Sequence, residues 1–353
     1  MYSVTFVTAL LGNILLIHII RQRSPLSAVS ILIVNMAASD LLAAMFTMPY
    51  SVAYFYVQSR WFGGIAGEIS CKLVHFVIGT TIAASIFALL TISVERYIAV
   101  VKPVLYASFI KRPVLLSTAI WLSSMLFMSV YLYIHRIETD PDGIPQCFAD
   151  WEPLFSNKLS PQIFYSSVAI LLYILPLLVI AVLSVLIIKK LKAQKIPVSG
   201  YQPTTHVLNF QKRNSRVMRM LLAIVTLFAL CWLPVHVLHF LIYFYGSIYI
   251  SLSPSVVLLL FWISHANSAL NPCIVILLNG SFRESFIDMI RCFLCERCLR
   301  ENRVDCVNHE TSPPLVARRH GCLSLDMELV RWSKQDCSSP VTLLDIGTIP
   351  QEN

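Results

Sequence analysis

Charge is scarce in this chain. Asp, Glu, Lys and Arg make up 13% of its 353 residues, where soluble domains carry about 25%. Hydrophobic residues make up 57%. So little polar side chain cannot cover so much apolar side chain in water, which makes a bilayer the natural solvent. Strand-like alternation is also lacking, because the apolar runs are continuous; a membrane β-barrel is excluded. No internal repeat relates the two halves, which argues against an inverted-repeat transporter. No Ser/His/Asp constellation and no zinc spacing with paired histidines supports an enzyme. Six of the ten cysteines follow the last apolar run, unlike an extracellular disulfide framework. The segment from Met1 to Ile20 has no basic leader and no small-residue cleavage site, so it reads as a membrane helix and not as a removed signal. The net charge of +8 would point to nucleic acid in a soluble protein. Here the cations sit between apolar runs, and no nucleic-acid partner is expected.

What is present is a set of runs near the roughly 20 residues needed to cross a hydrocarbon core. Seven qualify: 2–20, 28–56, 70–101, 114–135, 162–188, 217–245 and 254–278. The expected fold is an all-α seven-helix membrane bundle. Pro49, Pro176, Pro234 and Pro272 lie inside spans, where bundle neighbours tolerate a kink. Basic residues set the orientation. Residues 189–219 hold Lys189, Lys190, Lys192, Lys195, Lys212, Arg213, Arg216 and Arg219 and no acid. Arg21 and Arg23, and Arg96, Lys102, Lys111 and Arg112, fall on the same face. The opposite loops set Arg60, Arg136 and Lys158 against Glu68, Glu138, Asp140, Asp142, Asp150 and Glu152. The basic face is therefore expected in the cytoplasm of a plasma-membrane protein, with the N-terminus outside and the tail inside. Residues 193–211 read as a flexible cytoplasmic loop, and 292–353 as a largely disordered tail after a membrane domain of 1–291.

Polar residues inside the spans need partners, since an ionised side chain at mid-membrane costs roughly 2.5–3.5 kcal/mol on insertion scales. Asp40 must face the bundle interior, with Asn13, Ser85, Asn267, Ser268 and Asn271 as candidate partners. Such oxygens can hold a sodium ion, or can simply join helices by hydrogen bonds; both readings stand. Glu95-Arg96-Tyr97 ends the third span at the basic face, either as an interfacial pair or as a releasable latch. Cys71 and Cys147 are the only cysteines on the expected outer face, where oxidising conditions favour a bridge between them over two free thiols.

These residues coincide with an ordered series of motifs. Gly12-Asn13 comes first, then Asn35 and Asp40, Trp61-Phe62-Gly63, Cys71, Ser85 and Glu95-Arg96-Tyr97. Trp121, Pro176, Phe228, Cys231-Trp232-Leu233-Pro234 and Asn267-Ser268-Ala269-Leu270-Asn271-Pro272 follow, and then Phe282. Over roughly residues 5–298 the chain resembles a rhodopsin-like G-protein-coupled receptor, most nearly one for a neuropeptide. The resemblance implies a ligand-activated receptor and not an enzyme. Trp232 would form the pocket floor, with Ile86, Pro176 and Phe228 repacking beneath it. The sixth span would swing on Pro234 and the seventh would act through Asn271 and Pro272. Arg96, with Glu95, Tyr97, Pro103 and Val104, would then meet a heterotrimeric G protein, with arrestin a further cytoplasmic partner. Phe282 would open a short amphipathic helix along the lipid, to Ile290. Cys292, Cys295 and Cys298 beyond it are expected to be acylated. No cofactor is expected, an allosteric sodium ion apart.

Some positions depart from the family pattern. Val275 and Ser184 stand at or near two tyrosines that ordinarily stabilise the open state, and Asn214 stands where an acid can pair with Arg96. The chain begins about a dozen residues before Asn13, so the first helix reads as shortened. Its one glycosylation sequon, Asn279-Gly280-Ser281, falls on the cytoplasmic side. Ile78 occupies the place of the amine receptors' aspartate, and His265 that of the opsins' lysine. An acidic, aromatic loop with Asp150 and Glu152 favours a peptide with a cationic end. His75, Tyr165, His236, His239 and Phe261 complete the candidate ligand contacts. His236 and His239, one turn apart, read as hydrogen-bonded pocket residues in preference to a metal pair. A non-signalling decoy is the alternative to a signalling receptor.

Overall fold

The computed structural model describes residues 1–22, 27–103, 105–106, 113–193 and 205–291; of 205–211 and 213 only the main chain is described. Among the described residues seven helices are long and apolar enough to cross a membrane. They are α1 (Tyr2–Arg21), α2 (Ala28–Val57), α3 (Gly64–Val101), α4 (Pro113–Ile134), α5 (Leu159–Ala193), α6 (Thr205–Phe244) and α7 (Pro254–Leu278). Met1–Phe286 forms one compact unit. A further helix covers 280–291.

Local chemistry explains several helix starts. The Ser27 hydroxyl accepts a hydrogen bond from the Ser30 N–H at the head of α2, and Ser253 caps Val256 with Pro254 in the first turn of α7. Two ends differ most from the sequence reading. α3 begins at Gly64, six residues before 70, and α6 begins at Thr205, so 205–211 is helix and not loop. After Pro203 no helix breaker interrupts the basic segment, and Gln, Lys and Arg are good helix formers. Residues 194–204 lie outside the described residues.

α3 forms the axis, touching α2, α4, α5 and α6, while α7 closes the ring against α1, α2 and α6. Small residues permit close approach. A Cβ on Gly79 would stand 2.6 Å from Tyr131 Cε2 of α4, and one on Gly12 would stand 2.8 Å from Pro272 Cγ. Asn35 joins α2 to α4, donating to Ser117 Oγ at 2.7 Å and accepting from Trp121 Nε1 at 3.0 Å. Phe228, Ile86, Leu89, Ile92 and Met36 fill the centre. Leu126, Val114, Leu178 and Leu230 face outward, as lipid-exposed residues do. A five-residue π turn, Ile170–Ile174, interrupts α5 just before Pro176.

Between α4 and α5 the chain forms an antiparallel hairpin, β1 (His135–Thr139) and β2 (Pro145–Ala149), with Ile137 opposite Cys147. Its turn carries Asp140, whose carboxylate accepts the N–H groups of Asp142 and Ile144 at 3.0 and 2.8 Å. Gly143 supplies the positive φ of 80°.

Candidate functional site

Polar groups gather at three depths of the bundle. At mid-depth Asp40 is 2% exposed. One carboxylate oxygen accepts from Ser268 Oγ at 2.8 Å, and the other from Asn271 Nδ2 at 2.9 Å. Ser268 and Asn271, three apart on α7, therefore meet Asp40 from one face. Asn13 bonds the main chain instead, donating to the carbonyls of Ser268 (2.9 Å) and Ala9 (2.8 Å). Ser85 and Asn267 do not bond Asp40, but line the same cavity of about 20 Å³ with Thr81, Trp232 and His265. Ser85 Oγ, Thr47 Oγ1, Asn267 Oδ1 and Asn271 Oδ1 are buried there or beside it without a protein partner.

At one end of the bundle Cys71, in α3, is disulfide-bonded to Cys147 of β2, with Cα atoms 5.8 Å apart. The hairpin is also stitched to the loop between α2 and α3. The Trp61 N–H donates to Pro145 O at 2.9 Å, and the Cys147 N–H to Ser59 O at 2.8 Å. The acids of this loop differ in state. Asp150 is paired with Arg136 at 3.0 Å and accepts from Asn157 Nδ2 at 2.8 Å. The Asn157 bond first, with the Glu152 N–H and the Arg136 charge, holds its carboxyl below the ordinary aspartate range. Glu152 is exposed, and its carbonyl accepts from Arg136 at 2.8 Å. Asp150 is thus already engaged, and Glu152 is the freer acid.

Below the hairpin, aromatic rings touch one another across all seven helices. Tyr50 meets His75 (4.9 Å between centroids), His75 stacks on His135 (3.7 Å), and His135 meets Tyr131 (5.3 Å). Tyr131 meets Phe164 (5.5 Å), Phe164 meets Tyr165 (5.3 Å), and Tyr165 meets His239 (4.9 Å) and Tyr243 (4.3 Å). His239 meets Phe261 and Phe261 meets His265 (6.4 Å each), and His265 meets Tyr2 (5.8 Å). His75 is further fixed by Tyr50 Oη at 2.9 Å and the Cys71 carbonyl at 2.8 Å. Ile78 lies half-buried in α3, one turn beyond His75. Apart from the Glu68–Lys72 pair (2.7 Å) in the first turns of α3, the spans carry no charged residue between this end and Asp40 among the described residues. The His236 ring meets Tyr173 (4.5 Å).

At the opposite end Arg96 pairs with both oxygens of buried Glu95. Tyr106 completes the group: its hydroxyl donates to Glu95 at 3.0 Å and accepts from Arg96 at 3.2 Å. Tyr97 packs on the apolar core, and Pro103 is exposed. Asn214 is buried with its amide nitrogen unpartnered. Val104, Cys292, Cys295 and Cys298 lie outside the described residues.

Between the ends, Phe228 is 1% exposed and 5.9 Å from Trp232. Ile86 belongs to the same cluster, and Pro176 is buried in α5. Sequence reasoning missed Tyr106, Tyr173, Tyr131 and His135. The usable signals were slight: Tyr106 is the first hydroxyl after Tyr97 in the chain, and Tyr173 falls three residues before Pro176.

The family described as 7 transmembrane receptor (rhodopsin family) matches residues 12–274. The chain is 29% identical over 300 residues to the substance-P receptor of Homo sapiens, covering 82% of this chain and 70% of that one. Galanin receptor 2b of Danio rerio is 27% identical over 320 residues, covering 89% and 79%. Neuropeptide receptor 22 of Caenorhabditis elegans is 30% identical over 311 residues, covering 84% and 69%. A bundle of seven spans, a bridged hairpin over one mouth and a latched Arg96 at the other end, matched over these lengths, place the chain in the rhodopsin family of seven-transmembrane G-protein-coupled receptors, which are not enzymes.

Proposed function

We propose that the chain binds an extracellular peptide within the aromatic collar and passes the signal to a heterotrimeric G protein at Arg96. The collar carries the reading. Its phenol, phenyl and imidazole surfaces suit peptide side chains and amides, and it contains no carboxylate or amine for a small charged ligand among the described residues. A buried charge without a partner is strongly disfavoured, so the part of the ligand that enters is uncharged. Cationic residues of the same ligand would stay at the rim, near exposed Glu138, Asp142 and Glu152. The relatives named for peptides support the same class. The disulfide end faces outward in this reading, because bridges persist in oxidising surroundings and Lys189, Lys190, Lys192, Arg216 and Arg219 gather at the other end.

Ligand contact at His239, His265 and Tyr165 would shift Trp232, and α6 would turn about Pro234. Arg96 would leave Glu95 and meet the G protein, aided by Pro103 and Val104; arrestin would use the same opening. The ligand can drive this only through its greater affinity for the open arrangement.

The oxygens around Asp40 fit a sodium ion. They are hard donors, several lack a protein partner, and the cavity is large enough for one water-sized particle. Asp40, Ser85, Asn267, Ser268 and Asn271 would hold it. Sodium chloride should then raise thermal stability over choline chloride, and Asp40→Asn should erase the difference. In the tail, acylation of Cys292, Cys295 and Cys298 would add membrane anchorage.

The decisive experiment is nucleotide exchange on reconstituted G proteins, in nanodiscs, over a panel of neuropeptides in amidated and free-acid forms. Exchange stimulated by a peptide is the expected result. Saturable peptide binding that leaves exchange at its basal rate with every G protein would overturn the coupling half.

A further inference from the structure

We propose that the Tyr173 hydroxyl is a latch that holds the hinge of α6 closed, and that His236 is the handle through which a bound ligand releases it. The inference rests on the receptor reading above, in which the inner half of α6 moves about Pro234.

Among the described residues two hydrogen bonds cross from α5 side chains to α6 main chain, and they fall on opposite sides of Pro234. Gln162 Nε2 donates to Tyr243 O at 2.9 Å, outward of the proline. Tyr173 Oη donates to Ala229 O at 2.6 Å, inward of it. Rotation of the inner half about Pro234 can leave the first bond intact, but it must break the second, whose donor stays on α5. The acceptor sits beside the weak point of the helix. Pro234 has no N–H, so the Leu230 carbonyl lacks its usual donor, and the neighbouring turn is held by fewer bonds than an unbroken helix. An external donor on Ala229 restrains the turn that has to deform.

The aim of Tyr173 follows from its position in the π turn Ile170–Ile174. One extra residue in a turn rotates the helix face by about 100° relative to an unbroken helix, which makes such turns a means of re-aiming a side chain. Tyr173 is half-buried at the seam between α5 and α6. The hydrocarbon surroundings offer few groups to take the hydroxyl once the carbonyl is lost, so opening leaves it without an equal partner. The same ring touches His236 at 4.5 Å and Phe228 at 6.3 Å. His236 lies two residues outward of Pro234, on the half of α6 that faces the collar. A ligand group that displaces the imidazole therefore acts on Tyr173 directly, without passing through Trp232.

The test uses the full chain in nanodiscs, without ligand or G protein. Spin labels are attached through keto amino acids at positions 192 and 212, where Lys192 and Lys212 are exposed at the basic ends of α5 and α6. The distance distribution is read by pulsed dipolar spectroscopy. Tyr173→Phe keeps the ring and removes one oxygen; it should raise the population of the longer distance about three- to tenfold, the range of single hydrogen bonds between membrane helices. Tyr173→Leu also removes the His236 contact and should shift it at least as far. A merely structural role would lower the thermal midpoint without moving the labels, and that result overturns the latch. Glu95→Gln serves as a second release. If it lengthens the distance and neither Tyr173 variant does, the moving helix stands and the latch falls. If none of the three moves the labels, the hinge motion falls, and the latch with it.

Discussion

The Asp40 group allows a prediction whose size can be worked from its geometry. In Asp40→Leu both acceptors vanish. The Ser268 hydroxyl can turn to the carbonyl four residues back, so its loss is near the average of about 0.6 kcal/mol for a hydrogen bond between membrane helices. The Asn271 amide has no such route, and a buried donor left unpaired costs about 1–3 kcal/mol. The sum is a destabilisation of about 1.5–3.5 kcal/mol. Asp40→Asn is different, because one of its two oxygens becomes a donor facing Asn271. Asn271 Oδ1 has no partner at present, so a flip of that amide offers an acceptor and restores the contact. The Asn variant should therefore lose less than about 1 kcal/mol. Steric-trap unfolding in bicelles measures both against the parent, with Ser268→Ala as a single-bond reference. An Asn variant as unstable as the Leu variant would refute the rewiring. A Leu variant within about 0.5 kcal/mol of the parent would show that the group joins nothing.

Cys71→Ser should loosen the hairpin without dispersing it, since Trp61 N–H to Pro145 O and Cys147 N–H to Ser59 O remain; amide exchange across 135–149 should quicken while α1 and α2 stay protected, and unchanged exchange would count against the bridge as the main restraint. His135 is 5% exposed, and burial first, then the neighbouring His75, depresses its pKa from 6.5 to about 3. Below pH 6.5 the unfolded hairpin therefore takes up a proton that the folded one refuses. Stability present above 6.5 falls by about 1.4 kcal/mol per pH unit down to about 3. Exchange protection of β1, corrected for intrinsic rates, should drop accordingly, and His135→Phe should flatten the profile; a parent profile already flat contradicts the burial argument. Tyr106→Phe removes the hydroxyl shared by Glu95 and Arg96 and should raise basal nucleotide exchange about two- to fivefold. Equal basal rates in parent and variant would deny Tyr106 a part in the latch.

The fold was legible because a bilayer leaves the sequence few options. Seven long apolar runs had to be helices, and the count agrees with the structure. The ends were less legible, since apolarity marks the hydrocarbon layer and not the extent of hydrogen bonding. α6 extends beyond its apolar run through a basic segment, and α3 starts six residues before its apolar run. Within the polar group, the spacing of four puts Asn267 and Asn271 on one face of α7, yet Asp40 bonds Ser268 and Asn271 while Asn267 only lines the cavity; no pattern in sequence distinguishes Ser85 or Asn267 from a direct partner. The difference between the two loop acids was hidden for a related reason. Asp150 meets Arg136 because the β1–β2 register and the chain that follows bring them together, and register is a property of the pairing, not of either strand. Tyr106 and Tyr173 were invisible because a single tyrosine has no period.

The departures from the family pattern now bear on one balance, the free energy between closed and open arrangements. Two hydroxyls that ordinarily favour the open side are replaced by Val275, fully buried in the apolar core, and by Ser184, 5% exposed. On the closed side Asn214 offers Arg96 no charge, which removes one restraint. Yet Arg96 is held without it, by Glu95 and the Tyr106 hydroxyl, and α6 is held from α5 by Tyr173. Each bond that exists only in the closed state is worth a factor of a few in population. Losses on the open side and replacements on the closed side therefore act in the same direction. On the reading proposed above, a receptor so biased would have low activity without ligand and would demand a larger difference in affinity from whatever opens it; carrying a state from one to ninety-nine parts in a hundred takes about a 10⁴-fold preference. A ligand that spans the collar from His75 to His265 can supply that preference through many neutral contacts, where a small amine anchored by one charge has no partner here to begin from.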